Sequence, residues 1–215
     1  LFAGNDGVTT STKGTDARVV FEIFVHKFHL PPPKAVSKDA LLILDLGSNI
    51  GCSMAHLACV YPKASIIGVE LDNGNASLCR RNISRWSGRC QVVEGAVWPV
   101  DGEVQYTHME GYEDGFTATS GPTTRKGESR IAKALSINTL LRDLCGPDRQ
   151  IDYIKMDIEG AEREVLRLNT AWAAKVKCLK VELHGDYTKQ ECMADLEKLG
   201  FDAWADSNHA ICVIG

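Results

Sequence analysis

Apolar residues fall in short blocks separated by stretches of helical period. Leu41-Leu42-Ile43-Leu44, continuing to Leu46, is an unbroken apolar run of strand length, the pattern of a strand buried on both faces. Gly51 to Tyr61 then places Met54, Leu57, Ala58 and Tyr61 on one helical face, and Pro62 ends the helix. The pair repeats: "SIIGVEL" (65–71) as a strand, 73–86 as a helix with Cys79, Ile83 and Trp86 inward, and 91–97 as a third strand. Residues 101–136 break this rhythm. "EVQYTH" alternates like an exposed strand, and "GFTATSGPTTRKGES" is polar and aperiodic, so a mobile loop or lid is expected there. Strand, helix and strand resume at 151–156, 161–168 and 178–183, and a helix follows over 188–199. The last two apolar runs, 201–205 and 209–214, lie too close for a crossover helix and predict an antiparallel hairpin.

Strand-helix-strand repeats imply parallel pairing with right-handed crossovers. The expected fold is therefore α/β: a Rossmann-like, doubly wound, mostly parallel sheet over 41–215, ending in the hairpin and preceded by a helical cap segment over 1–40. Such a sheet binds its ligand at the carboxyl ends of its strands, where strand order reverses.

Composition narrows the ligand. A net charge of −4 offers no basic stripe for phosphates, so nucleic acid is not expected as a partner. Eight cysteines lie mostly in apolar stretches without a CxxC pair and read as reduced core thiols of a cytoplasmic protein. No apolar run is long enough to span a membrane, and none is expected as a partner. The chain opens on Leu1 rather than Met, as a trimmed or excised piece would, and its oligomeric state is left open.

The chemistry begins where the first strand ends, in "DLGSNIG". Gly47 lets the chain turn out of the strand, Gly51 lets the next helix start close by, and the backbone between them can approach a ligand. The spacing is not GxGxxG: Ser48 and Asn49 fill the place of the pyrophosphate-binding glycine, and Asp45 precedes the first glycine. A carboxylate there repels pyrophosphate and attracts a cation. Glu70, with Leu71 beside it, ends the second strand, where a carboxylate accepts hydrogen bonds from two ribose hydroxyls. Glu94, Gly95 and Ala96 are expected to edge an adenine. A cationic, adenosine-bearing ligand without phosphates is S-adenosyl-L-methionine.

A second constellation is "IDYIKMDIEGAEREVL" (151–166). Lys155 lies mid-strand among apolar residues, where an unpaired ammonium costs several kcal/mol, so it needs a partner. If this strand and "CLKVELH" (178–184) end level, Lys155 neighbours Glu182, and Asp157 neighbours His184 at the carboxyl edge.

These residues resemble the FkbM-type S-adenosylmethionine-dependent methyltransferases. "ILDLGSNIG" is similar to that family's cofactor loop, "IDYIKMDIEGAEREVL" to its most distinctive segment and "VELHG" to its following strand; "KGTDARVVFEIF" (13–24) resembles an approach segment found in part of it. Ser48 departs from the more frequent Ala, a change between small residues. The resemblance implies mainly O-methylation of sugars and secondary metabolites, with a small-molecule or glycan acceptor. Methyl transfer then asks for positioning and removal of the acceptor proton. His184 is the expected base, oriented by Asp157, with Glu159 as the rival. No metal is assigned, Asp157 and Glu159 being the pair a magnesium ion could use. A nicotinamide-dependent oxidoreductase and a non-catalytic binding module of the same fold are the alternatives.

Overall fold

The computed structural model describes residues 8–10, 16–108, 117–119, 128–146, 148–205 and 211–214. Its main sheet has seven strands: β1 (Leu42–Leu46), β2 (Ser65–Glu70), β3 (Cys90–Glu94), β8 (Tyr153–Met156), β9 (Cys178–Val181), β10 (Asp202–Ala205) and β11 (Ile211–Ile214). They lie in the order β10-β11-β9-β8-β1-β2-β3. The five strands from β3 to β9 are parallel, while β11 runs antiparallel to both β9 and β10. Strand order reverses between β1 and β8, where Asp45 pairs in register with Lys155.

Alternation along β1 explains the two layers of the core. Leu42, Leu44 and Leu46 pack with Val165 and Leu166 of helix α5 (Glu162–Arg167), Cys192 and Leu196 of α6 (Lys189–Lys198), and Ile137 and Leu140 of α4 (Ile137–Leu140). Ile43 faces the other way, onto Met54, Leu57 and Ala58 of α2 (Cys52–Val60) and Cys79 of α3 (Asn73–Asn82). Each buried aliphatic side chain contributes about 1.5–3 kcal/mol. The N-terminal segment covers this second face. Its helix α1 (Asp16–Phe21) passes into a π-helical turn, and the Tyr153 hydroxyl donates to the His29 carbonyl at 2.8 Å.

Two expectations change. The third strand does not run through to 97. It stops at Glu94, and β4 (Ala96–Val97) joins a second, four-stranded sheet with β5 (Gly102–His108), β6 (Thr117–Thr119) and β7 (Glu128–Leu135) in the order β4-β7-β5-β6. Residues 128–135, expected in the polar loop, pair antiparallel with 102–108: Ala132 and Ala134 take the inward places, and Ile131 stays exposed. The rest of the lid expectation, at 109–116 and 120–127, lies outside the described residues. So do positions 206–210 of the expected hairpin. Among the described residues seven cysteines form no disulfide, and five of them are buried. Among the described residues no helix is long and apolar enough to cross a membrane.

Candidate active site

The loop after β1 is tight and held from three sides. The amides of Gly47 and Ser48 both donate to the Val69 carbonyl at 3.0 Å, and the Ser48 hydroxyl donates to the Asp45 carbonyl at 2.8 Å. Gly47 has φ +80°, and a Cβ there would stand 1.7 Å from the Asp157 carbonyl oxygen. Only glycine lets this loop touch the turn after β8. At Gly51, with φ +84°, a Cβ would meet Cys79 of α3 at 2.8 Å, so the close neighbour is a helix rather than the sheet. Asn49 lies between them with φ 50°.

Glu70 ends β2 beneath this loop. One carboxylate oxygen accepts the Asn49 amide at 2.7 Å and the other accepts the Asp72 amide at 2.8 Å. Burial pushes its carboxyl up to about 7, against the pull of those two N–H groups. Each carboxylate oxygen has a second lone pair, which fits ribose hydroxyls as donors. Leu71 and Ala96 belong to a small apolar cluster with Trp98 and Val104, a surface suited to a base edge. The Gly95 amide donates to the Glu70 carbonyl at 2.8 Å, which ties the two strand ends together. Glu94 is turned outward onto α3, accepting from Asn73 at 3.0 Å and pairing with Arg80 at 3.4 Å.

Asp45 does not reach the cleft. It is fully buried, hydrogen-bonded by the Ser53 hydroxyl and 3.5 Å from the Lys155 ammonium. Burial raises its carboxyl above the usual range, against the pull of Lys155 and the Ser53 hydroxyl. Lys155 finds its partners here and not at Glu182: the ammonium donates to the Gly47 carbonyl at 2.7 Å and stands 3.0 Å from Asp157. Burial alone would lower its pKa, but Asp157 and Asp45 outweigh that and hold it cationic.

The reason is register. Lys155 pairs with Lys180, not Glu182, so β8 and β9 are offset by two residues from the expected level alignment. Glu182 instead follows β9 beside Asp157, its amide donating to the Met156 carbonyl at 2.8 Å. His184 is carried further along and meets three carboxylates. Its Nδ1 lies 3.0 Å from Glu162, and its Nε2 lies 3.6 Å from both Asp157 and Glu159. The expected Asp157-to-imidazole hydrogen bond is thus made by Glu162.

Glu162, fully buried, also accepts the amides of Ile158 at 3.0 Å and Gly160 at 2.9 Å. It therefore fixes both the turn and the ring. The sequence signal for it was a carboxylate in the first turn of a helix just after Gly160, positioned to reach back to unpaired amides. Within that turn Glu159 holds φ 56°, unusual for a residue with a side chain. Burial raises its carboxyl to about 7. His184 goes up to about 9: burial would lower it, but the Glu162 hydrogen bond and the charges of Glu159, Glu162 and Asp157 prevail. An imidazole protonated near neutral pH is a poor proton acceptor, whereas a carboxyl raised toward 7 is chemically suited to take a proton.

The profile of the methyltransferase FkbM domain matches residues 45–204, a stretch that contains every group described above. The chain belongs to the FkbM methyltransferase family. Its cofactor is accordingly S-adenosylmethionine, which the tight glycine turn at Gly47 and the Glu70 carboxylate fit. This FkbM chain is 25% identical over 176 residues to the 2-O-methyltransferase NoeI of Sinorhizobium fredii, covering 77% of the chain and 70% of that relative. A release factor glutamine methyltransferase of Geobacter sulfurreducens is 33% identical over 67 residues, which cover 31% of this chain and 24% of that one. Among solved structures, the fibrillarin pre-rRNA processing protein of Methanococcus jannaschii superposes with a TM-score of 0.52 at 14% identity, over 85% of this chain and 69% of that one. A precorrin-6y C5,15-methyltransferase of Geobacter metallireducens gives 0.51 at 15% identity, over 98% and 93%. These two likenesses concern the fold.

Proposed function

We propose that this FkbM methyltransferase methylates a hydroxyl group of a sugar, glycan or other small secondary metabolite. The observation that carries the reading is the contact between its two constellations. The Gly47 turn lies against the Asp157 carbonyl, so the cofactor loop and the Asp157–Glu159–His184 group share one edge of the sheet. The NoeI likeness, to a 2-O-methyltransferase, supports an oxygen acceptor. A net charge of −4 favours a small or neutral acceptor over nucleic acid.

S-adenosylmethionine, when bound, supplies a methyl group already activated by its sulfonium. The chain's own residues have to orient the acceptor and take its proton. Glu70 and the Gly47–Gly51 backbone hold the cofactor. Glu159 accepts the acceptor's hydroxyl proton, and the His184 imidazolium, fixed through Nδ1 by Glu162, steadies negative charge developing on that oxygen. Incubation with methyl-labelled S-adenosylmethionine and a panel of sugars, glycans and polyketides, read by mass spectrometry, tests the proposal. A methyl ether on one of these acceptors is expected, at a rate lowered about 10²- to 10⁴-fold by Glu159→Gln. Transfer to nitrogen, or to nucleic acid only, would overturn it.

A further inference from the structure

The two-residue offset between β8 and β9 leaves one group without the partner that a level alignment would have given it. Glu182 does not pair with Lys155 in register, and among the described residues its Oε2, sealed from solvent, has no hydrogen-bond partner. Leaving such an oxygen unpaired costs about 1–3 kcal/mol, and more when it is charged. The Glu182 carboxylate lies where Asp157 and His184 converge: one ligand atom from each of the three lies within 4.8 Å of the others.

We propose that Asp157, Glu182 and His184 form a divalent-cation site at the carboxyl ends of β8 and β9. Two carboxylate oxygens and one imidazole nitrogen form a donor set for Mg²⁺ or Mn²⁺, with further positions left to water or acceptor oxygen. Three features bear on it independently. The first is Glu182 Oε2, a buried acceptor with no donor of its own. The second is the imidazole, whose Nδ1 is held by Glu162 at 3.0 Å so that Nε2 faces Asp157. A metal-binding histidine is oriented in this way, its other ring nitrogen on a carboxylate. The third is charge. Asp157, Glu159, Glu162 and Glu182 crowd around His184 and Lys155, and Lys155 is already shared with Asp45. A divalent ion balances this excess better than a single imidazolium does.

Asp157 and His184 are each about one-fifth exposed, so an ion can reach them from solvent. The site differs from a pairing of Asp157 with Glu159. Glu159 stays free of the ion to take the acceptor's proton, while the ion displaces the Nε2 proton of His184, takes the imidazolium's place beside the acceptor, and holds and acidifies the hydroxyl. That last role rests on the O-methylation reading; the site itself does not.

The test uses Mn²⁺ and the full chain without cofactor. Electron paramagnetic resonance should show saturable binding of one ion, displaced by Mg²⁺, and its pulsed form should show coupling to an imidazole nitrogen. Glu182→Gln and His184→Gln should each weaken binding at least tenfold, His184→Gln with loss of the nitrogen coupling, and Glu162→Gln by about 10- to 100-fold. Glu191→Gln, which alters the acid that caps the start of α6 with Thr188, should change nothing. If Glu182→Gln fails to fold by circular dichroism, the nitrogen coupling in the unaltered chain decides. Mn²⁺ staying free at millimolar concentration, binding without nitrogen coupling, or binding indifferent to a folded Glu182→Gln chain would overturn the proposal. Separate titration with S-adenosylmethionine reports on the cofactor loop, so failure of the ion site and failure of the methyltransfer reading are distinguishable.

Discussion

Replacing Lys155 by Met isolates what holds the cofactor loop in place. The ammonium is about 6% exposed and serves three acceptors on three segments: Asp45 in β1, the Gly47 carbonyl and Asp157 after β8. Methionine is close to lysine in length and apolar stem but leaves Asp45, which is fully buried, with the Ser53 hydroxyl as its one side-chain donor among the described residues. Breaking a buried ion pair on one side costs about 3–5 kcal/mol, because the remaining charge must be neutralised or rehydrated. Asp45→Asn alone should cost less, about 1–3 kcal/mol, since Lys155 keeps Asp157 and the Gly47 carbonyl. In the double variant the stranded charge is gone, so its loss should fall short of the sum by about 2–3 kcal/mol. Urea denaturation of the four chains, followed by fluorescence and circular dichroism, gives the cycle. A loss below about 1 kcal/mol in Lys155→Met, or additivity within about 0.5 kcal/mol, would refute the claim that this buried pair anchors the loop.

Other outcomes follow from the same geometry. Gly47→Ala should fold less stably and bind cofactor poorly, because its Cβ would overlap the Asp157 carbonyl at 1.7 Å; normal calorimetric affinity would show that the loop can move away. Glu70 titrates near 7, above its ordinary value, so it is ionised at higher pH and protonated below. Since ribose hydroxyls donate best to the ionised form, cofactor affinity should fall by up to about tenfold per unit below pH 7, and Glu70→Gln should abolish that slope. The same burial makes the ionised carboxylate a cost to folding that grows as pH rises from its unfolded value of 4.5 toward 7, so Glu70→Gln should gain relative stability across that window.

The central strands of the parallel sheet were legible because they are buried on both faces and so appear as unbroken apolar runs, as in Leu42–Leu44 and "IIGV". Strand β7 was hidden for the opposite reason. It carries Arg130, exposed Ile131 and Lys133 around two small alanines, and its partner β5 lies across a long insertion. The second constellation was half legible. Side-chain direction has a period of two, so an offset of two residues between β8 and β9 kept Lys155, Asp157, Glu182 and His184 on one face while changing which of them meet. Nothing in the chain marks that offset. Glu162 went unassigned because one acid among many at a helix start reveals its reach only once the turn at 158–160 is formed.

The proposed function stands on the Gly47–Gly51 loop and Glu70 together holding S-adenosylmethionine. Calorimetric titration of the unaltered and Glu70→Ala chains with that cofactor, with NAD as the comparison ligand, tests it directly. One cofactor site is expected in the unaltered chain, with no binding of NAD, and affinity reduced by one or two charge-assisted hydrogen bonds, each about 1.5–3 kcal/mol, in the variant. Equal affinity in both chains, or preference for NAD, would contradict it.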